Sequence, residues 1–210
     1  MNLGIHDYWL FVLTGVLLNL TPGQDTFYII GRSVAEGTKS GIASALGIAV
    51  GTLVHTAMAA LGLSAILATS ASAFTIVKLL GAAYLVYLGV RMLRASSLPH
   101  ASTNPVGNAG VVGAFRDGIV SNVLNPKVAL FFLALMPQFI APESETKVAA
   151  FIALGFTFVT TGTIWCLVLA VAAGRLRGYF TRHPQGWKAV SRASGGLFVL
   201  LGLRLVMTRQ

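Results

Sequence analysis

Leu17-Leu18-Asn19-Leu20-Thr21-Pro22-Gly23-Gln24-Asp25 interrupts an otherwise apolar run, and how that interruption is read decides the fold. The run before it, from Tyr8 to Leu20, carries no charge, and the apolar pattern resumes after Asp25 through Phe27-Tyr28-Ile29-Ile30. A proline inside a helix removes an amide donor and clashes with the carbonyl one turn earlier. The stretch is therefore predicted to be one membrane helix over about 8–31, broken near its centre. Met1 to His6 holds no Lys or Arg and no small-x-small cleavage site follows early, so this helix is expected to be retained, not cleaved as a signal.

Composition extends the same picture outward. Of 210 residues, 55% are hydrophobic and 10% charged, and the mean hydropathy is +0.78; a soluble domain carries about 25% charged residues. Six spans of roughly 20 residues would fill such a length with short loops between them. Ser40 to Val77 is uncharged and too long for one crossing at about 1.5 Å per residue. It is predicted to turn back at Ala68-Thr69-Ser70-Ala71-Ser72, giving helix two over about 41–67 and helix three over about 73–93. Arg94 to Gly110 has linker composition. Helix four follows over about 113–140 with Asn125-Pro126 near its middle, helix five over about 147–173, and helix six over about 190–208. Arg192 and Arg204 leave helix six a short uncharged centre, which snorkelling to opposite interfaces would reconcile with a full span.

The formal net charge of +9 sits in short clusters between apolar runs. Ten of the 15 basic residues fall after helices one, three and five: Arg32 and Lys39; Arg91, Arg94 and Arg116; Arg175, Arg177, Arg182, Lys188 and Arg192. That asymmetry places those loops in the cytoplasm and both termini outside, and it explains the charge without a nucleic-acid partner. The four His are scattered, with no metal-binding spacing, so neither a metal nor another cofactor is expected. The one cysteine, Cys166, excludes an intramolecular disulfide and reads as helix filler.

Laid together, the halves repeat. Leu20-Thr21-Pro22 matches Leu124-Asn125-Pro126, Lys39 and Gly47 match Lys147 and Gly155, and Leu88-Gly89-Val90-Arg91 matches Leu201-Gly202-Leu203-Arg204. Three helices per half oblige the second half to enter from the opposite side. The expected fold is an all-α membrane protein of six transmembrane helices, built as two inverted three-helix repeats with proline-broken helices one and four. It forms a single transporter domain over 1–210, with repeat one about 8–94, a linker about 95–110 and repeat two about 111–208. Interrupted helices at equivalent positions of inverted repeats point to an alternating-access transporter and to its site.

The candidate site follows from those breaks. Pro22 and Pro126 each free polar backbone at a depth without water; either alone is explained as a structural kink, whereas the pair, ringed by the amides of Asn19, Gln24, Asn122 and Asn125, suggests one shared polar site. Asp25 and Lys127 follow the prolines, and an ionised residue at mid-membrane needs a partner or a wet cavity. Two readings stay open: the two pair with each other, or a zwitterion separates them, its ammonium on Asp25 and its carboxylate on Lys127 and the amides at the start of the half-helix after Pro22. His55, in the middle of helix two, is either a neutral donor to a carbonyl or a proton relay. Gly47 and Gly51 suit close helix packing within the monomer, and Tyr84 and Tyr87 suit either a cavity wall or an interfacial belt. A membrane enzyme lacks clustered acids or His, and Ser44 and His55 lie 11 positions apart, about 16 Å along one helix, so they form no catalytic pair. A channel or structural bundle is the rival from another class.

Leu20-Thr21-Pro22-Gly23-Gln24-Asp25, then Gly31-Arg32-Ser33, and the glycines at 37, 41, 47 and 51 resemble the first-half signature of the lysine exporter (LysE/RhtB-type) family of amino acid efflux transporters. Gly81-Ala82-Ala83-Tyr84-Leu85 with Tyr87-Leu88-Gly89, and Asn122-Val123-Leu124-Asn125-Pro126-Lys127, resemble its third and fourth helices. The resemblance implies a six-helix bacterial inner-membrane exporter of amino acids or close derivatives, driven by proton antiport, with lipid and a small amino acid as partners and a homo-oligomer as one option. Substrate contact would fall to Asn19, Thr21, Pro22, Gly23, Gln24, Asp25, Asn122, Asn125, Pro126 and Lys127, and proton coupling to Asp25 and His55. Many members read Thr-Pro-Gly-Pro where this chain has Gln24. One obvious buried acid, Asp25, favours neutral or small polar, homoserine-like substrates over cationic ones.

Overall fold

The computed structural model describes residues 3–63 and 110–175, with isolated helical positions between 76 and 90 and at 199 and 203. Helix one consists of two halves, α1 (Tyr8–Leu20) and α2 (Gln24–Glu36), separated at Thr21-Pro22-Gly23. Gly37, at φ 94°, turns the chain into α3 (Thr38–Met58), prolonged by a π-helical turn over Ala59–Leu63; that left-handed backbone favours glycine because no Cβ meets the carbonyl. Helix four is likewise split, into α4 (Gly110–Val123) and α5 (Pro126–Leu130). α5 continues as a π turn over Phe131–Leu135 and a 3-10 turn over Met136–Phe139. α6 spans Lys147–Arg175.

α3 with its π turn and α6 are each long and apolar enough to cross a membrane, and α4 with α5, bent by 44°, makes a third such span. The 13 residues of α1 rise about 20 Å, short of a hydrocarbon core of about 30 Å, so a crossing there needs α2 as well. The predicted helices three and six lie outside the described residues apart from isolated helical positions, as do the motifs at 88–91 and 201–204 and the side chain of Tyr84.

Helix one runs beyond residue 31 to Glu36. Arg32, assigned from sequence to a loop, is buried in α2, bonded to Glu36 one turn on and to Asp117 of α4 at 2.5 Å, and these two acids remove the cost that would have ended the helix. Lys39 lies in the first turn of α3, Arg116 inside α4 and Arg175 at the end of α6, so with Arg32 four of the ten basic residues counted as loop charges are helical.

The two broken helices run antiparallel. At one end Ile5 bridges Ile140, the His6 amide donates to the Phe139 carbonyl at 3.0 Å, and the Ala141 amide donates to Gly4 at 2.8 Å. At the other end Arg32 reaches Asp117, and the Tyr28 hydroxyl donates to the Ala114 carbonyl at 2.9 Å. The breaks consequently meet midway. α3 packs tightly on α4 through glycines: a Cβ on Gly47 would run into the Phe115 carbonyl, and one on Gly118 would lie 2.6 Å from the Ser44 carbonyl. Without water to drive burial, such backbone approach supplies dispersion contact between helices. Two apolar clusters flank the breaks, one built on Phe11, Phe131, Phe132, Phe139 and Phe158, the other on Ile29, Ala45, Ile48 and Ala170.

Candidate functional site

Each break is closed by a side chain from elsewhere in the chain. In a continuous helix the Leu18 carbonyl would accept the amide of residue 22, and Pro22 has none. Lys127 Nζ donates to that carbonyl at 3.3 Å and to the Thr21 carbonyl at 2.9 Å. An ammonium there also suits the partial negative charge at the C-terminal end of α1. Gly23 makes this crossing possible, since a Cβ on it would lie 3.0 Å from Lys127 Nζ and 3.3 Å from Cε.

The second break repeats the logic with a different donor. Pro126 occupies the first turn of α5, where a missing amide is tolerated, but its absence orphans the Asn122 carbonyl. His55 Nε2 lies 3.0 Å from that oxygen, and because a carbonyl only accepts, Nε2 carries the proton. The Asn125 amide shares the same acceptor at 2.9 Å. Asn125 caps α5, its Oδ1 accepting from the Lys127 amide at 3.0 Å.

Asp25 stands in the first turn of α2, where the helix dipole favours an anion, and is 9% exposed. Its Oδ2 accepts from Asn122 Nδ2 and Asn125 Nδ2, both at 2.8 Å, and its Oδ1 from the Ser121 hydroxyl at 3.3 Å. The Thr52 hydroxyl in turn donates to Asn122 Oδ1 at 3.2 Å. Asp25 and Lys127 therefore do not form the mutual ion pair that was one of the two options, because each already has partners from the other broken helix.

Both nevertheless line one cavity, with Asn19, Thr26, Ile48, Thr52, Asn122 and a wall of α6 that includes Phe158, Gly162, Trp165 and Cys166. Of the residues singled out in the sequence, Asn19, Asp25, Asn122 and Lys127 face this space; Thr21, Pro22, Gly23 and Asn125 build the breaks around it. Pro126 is exposed, and Gln24, also exposed, donates to the Ser121 carbonyl at 3.2 Å and stays off the cavity wall. His55 reaches the group through the Asn122 carbonyl, and its ring stacks on Phe132 with centroids 5.8 Å apart. The α6 wall escaped the sequence reading. Trp165, a tryptophan in mid-span away from the interfaces where its polar N–H is usually wetted, is the sequence signal that could have found it.

The family described as LysE type translocator matches residues 16–209. The homoserine/homoserine lactone efflux protein of Salmonella typhimurium (strain LT2) is 32% identical over 208 residues, covering 97% of this chain and 98% of that protein. An uncharacterized membrane protein of Vibrio cholerae is 31% identical over 205 residues, 98% of each chain. The leucine efflux protein of Salmonella choleraesuis is 28% identical over 204 residues, 96% of this chain and 95% of its own. No solved structure matches.

Proposed function

This chain belongs to the LysE type translocator family, and from that premise we propose that it exports a neutral or small polar amino acid, or a homoserine-like derivative, from the cytoplasm by proton antiport. One observation carries the proposal: a carboxylate and an ammonium line the same cavity between two helix breaks, each satisfied by other partners and not by each other. A zwitterion fits such a space, its ammonium toward Asp25 and its carboxylate toward Lys127. Asn19, Thr21, Pro22, Gly23, Asn122, Asn125 and Pro126 shape the binding region, with Gln24 tethering α2 to Ser121 behind it. The relatives named for homoserine and leucine efflux support the amino acid class. A cationic amino acid would bring a second positive charge to a cavity whose lining holds a single acid among the described residues.

The antiparallel broken helices support an inverted repeat, and rocking of one half against the other would expose the cavity alternately to either side. Asp25 is the coupling group in this scheme. Moving one charge through the membrane potential is worth about 2.3 kcal/mol per 100 mV, enough for one carboxylate that binds a proton outside and releases it inside. His55, one residue removed through Asn122, is the next candidate, although its donor bond across the second break favours a structural role. The membrane is proposed to be the bacterial inner membrane, with both termini outside.

Reconstituted protein tests this directly. Proteoliposomes are loaded with radiolabelled homoserine, leucine or lysine, with and without an imposed pH gradient. Gradient-stimulated movement of homoserine or leucine, and none of lysine, is expected. Flux of every amino acid equal to that of protein-free vesicles overturns the proposal.

A further inference from the structure

Among the described residues, two donors at the wall of the cavity lack an acceptor. Trp165 of α6 lines the cavity, and its indole Nε1, shielded from solvent, has no partner among the described residues. An indole nitrogen only donates. Asn19 of α1 lines the same cavity, and its amide Nδ2 is also shielded and without a partner among the described residues. Asn19 sits against α6 at Gly162, where a Cβ would lie 3.1 Å from its Oδ1 and 3.2 Å from its Nδ2, and Trp165 stands about one turn further along that helix, at the same cavity. Lys127 adds a third donor. Its ammonium holds three hydrogens and gives bonds to two carbonyls, Leu18 and Thr21, which bracket Asn19 in the chain.

Buried donors without acceptors are destabilising and rare, so their presence beside a cavity marks a place where a ligand brings the acceptor. The distribution of charge says which group. Asp25 already collects donors from Asn122, Asn125 and Ser121, whereas the atoms left for a ligand on the other side are the donors Asn19 Nδ2, Trp165 Nε1 and Lys127 Nζ. We infer that Trp165, with Asn19 and the remaining N–H of Lys127, holds the α-carboxylate of the transported amino acid. This rests on the export proposal above and adds to it a specificity-determining residue and the substrate group that it reads. The cavity should therefore reject amino alcohols, which keep the ammonium and side chain but have no carboxylate.

Trp165→Phe keeps an aromatic ring, smaller than the indole, and removes the N–H. In proteoliposomes its KM is measured for homoserine and leucine, and for the matching amino alcohols 2-amino-1,4-butanediol and leucinol as competitors. Losing a hydrogen bond to a charged group corresponds to about a tenfold or larger rise in KM, with kcat little changed because the bond is made in the ground state as well. The preference for amino acid over amino alcohol should narrow by the same factor. Asn19→Leu, on a different helix, should do likewise. Equilibrium dialysis of radiolabelled amino acid against the detergent-solubilised protein supplies a binding readout without transport, with a midpoint shifted about tenfold in Trp165→Phe. An unchanged KM and midpoint, or an equal weakening of the amino alcohol, overturns the inference while wild-type transport stands. Wild-type vesicles that move neither amino acid overturn the export proposal and this one with it.

Discussion

Asn125 makes two bonds of different kinds, one within its own broken helix and one across to the other, and a short substitution series separates them. Its Oδ1 caps α5 by accepting from the Lys127 amide at 3.0 Å, and its Nδ2 donates to the Asp25 carboxylate at 2.8 Å. Asn125→Ser retains a capping oxygen but loses the reach to Asp25; Asn125→Ala loses both. A hydrogen bond to a charged group contributes about 1.5–3 kcal/mol and an N-cap about 1 kcal/mol. For a chain of this size, 1 kcal/mol corresponds to about 2–4 °C in Tm. Asn125→Ser is thus expected to unfold about 3–12 °C below wild type, and Asn125→Ala about 2–4 °C lower again. Thermal unfolding in mild detergent, followed by size-exclusion chromatography or intrinsic fluorescence, measures both steps. The assignment to Asp25 is checked by repeating the series in Asp25→Asn, where the first step should shrink to the smaller value of a neutral bond because the charge is gone. An Asn125→Ser variant as stable as wild type, or a first step of the same size in Asp25→Asn, refutes the reasoning.

His55→Leu should lower stability by about 0.5–1.5 kcal/mol through the lost bond to the Asn122 carbonyl, and less in Pro126→Ala, which returns an amide to that carbonyl; additive Tm changes in the double variant would contradict the bridging role. Gly47→Ala forces a Cβ against the backbone of Phe115 and should cost about 1–3 kcal/mol or more, whereas Gly31→Ala, with nothing near it among the described residues, should gain roughly 0.5–1 kcal/mol, both read as Tm shifts. In the Arg32 cluster, Glu36→Gln should cost about 3–5 kcal/mol and Asp117→Asn no more than about 1 kcal/mol, because the Glu36 side chain is 12% exposed and that of Asp117 54%; equal losses would show that burial does not set the strength of these pairs. Asp25→Asn is expected to abolish accumulation driven by a pH gradient and to leave substrate-for-substrate exchange in proteoliposomes, and undiminished accumulation would remove Asp25 as the coupling residue.

Most of the element boundaries were legible because they are local properties. An uncharged run bounded by polar residues located α3 and α6, and the apolar pattern around Asn125-Pro126 located α4 with α5, within a few positions at most ends. The exceptions have a common cause. Helix one was cut short at a charge that Glu36 and Asp117 neutralise from positions 4 and 85 residues away. The π and 3-10 turns after Leu130 left no mark in an apolar sequence, since they depend on how Phe131, Phe132 and Phe139 pack with Phe11 and Phe158.

The sequence by itself determined the membrane class, the places where two helices break, and the residue types gathered there, because hydropathy and the missing proline amide act on the chain within a single turn. Only the tertiary structure decided what closes the breaks. Lys127 bonds the carbonyls before Pro22 and leaves Asp25 to Asn122 and Asn125, His55 takes the place of the Pro126 amide, and Trp165 and Asn19 keep donors in reserve at the cavity wall. The bonds from Lys127 and from the two asparagines to helix one join positions 97 to 109 residues apart. Sequence spacing is silent about such pairs, since the antiparallel docking of the broken helices chooses which of several competent donors reaches each orphaned acceptor.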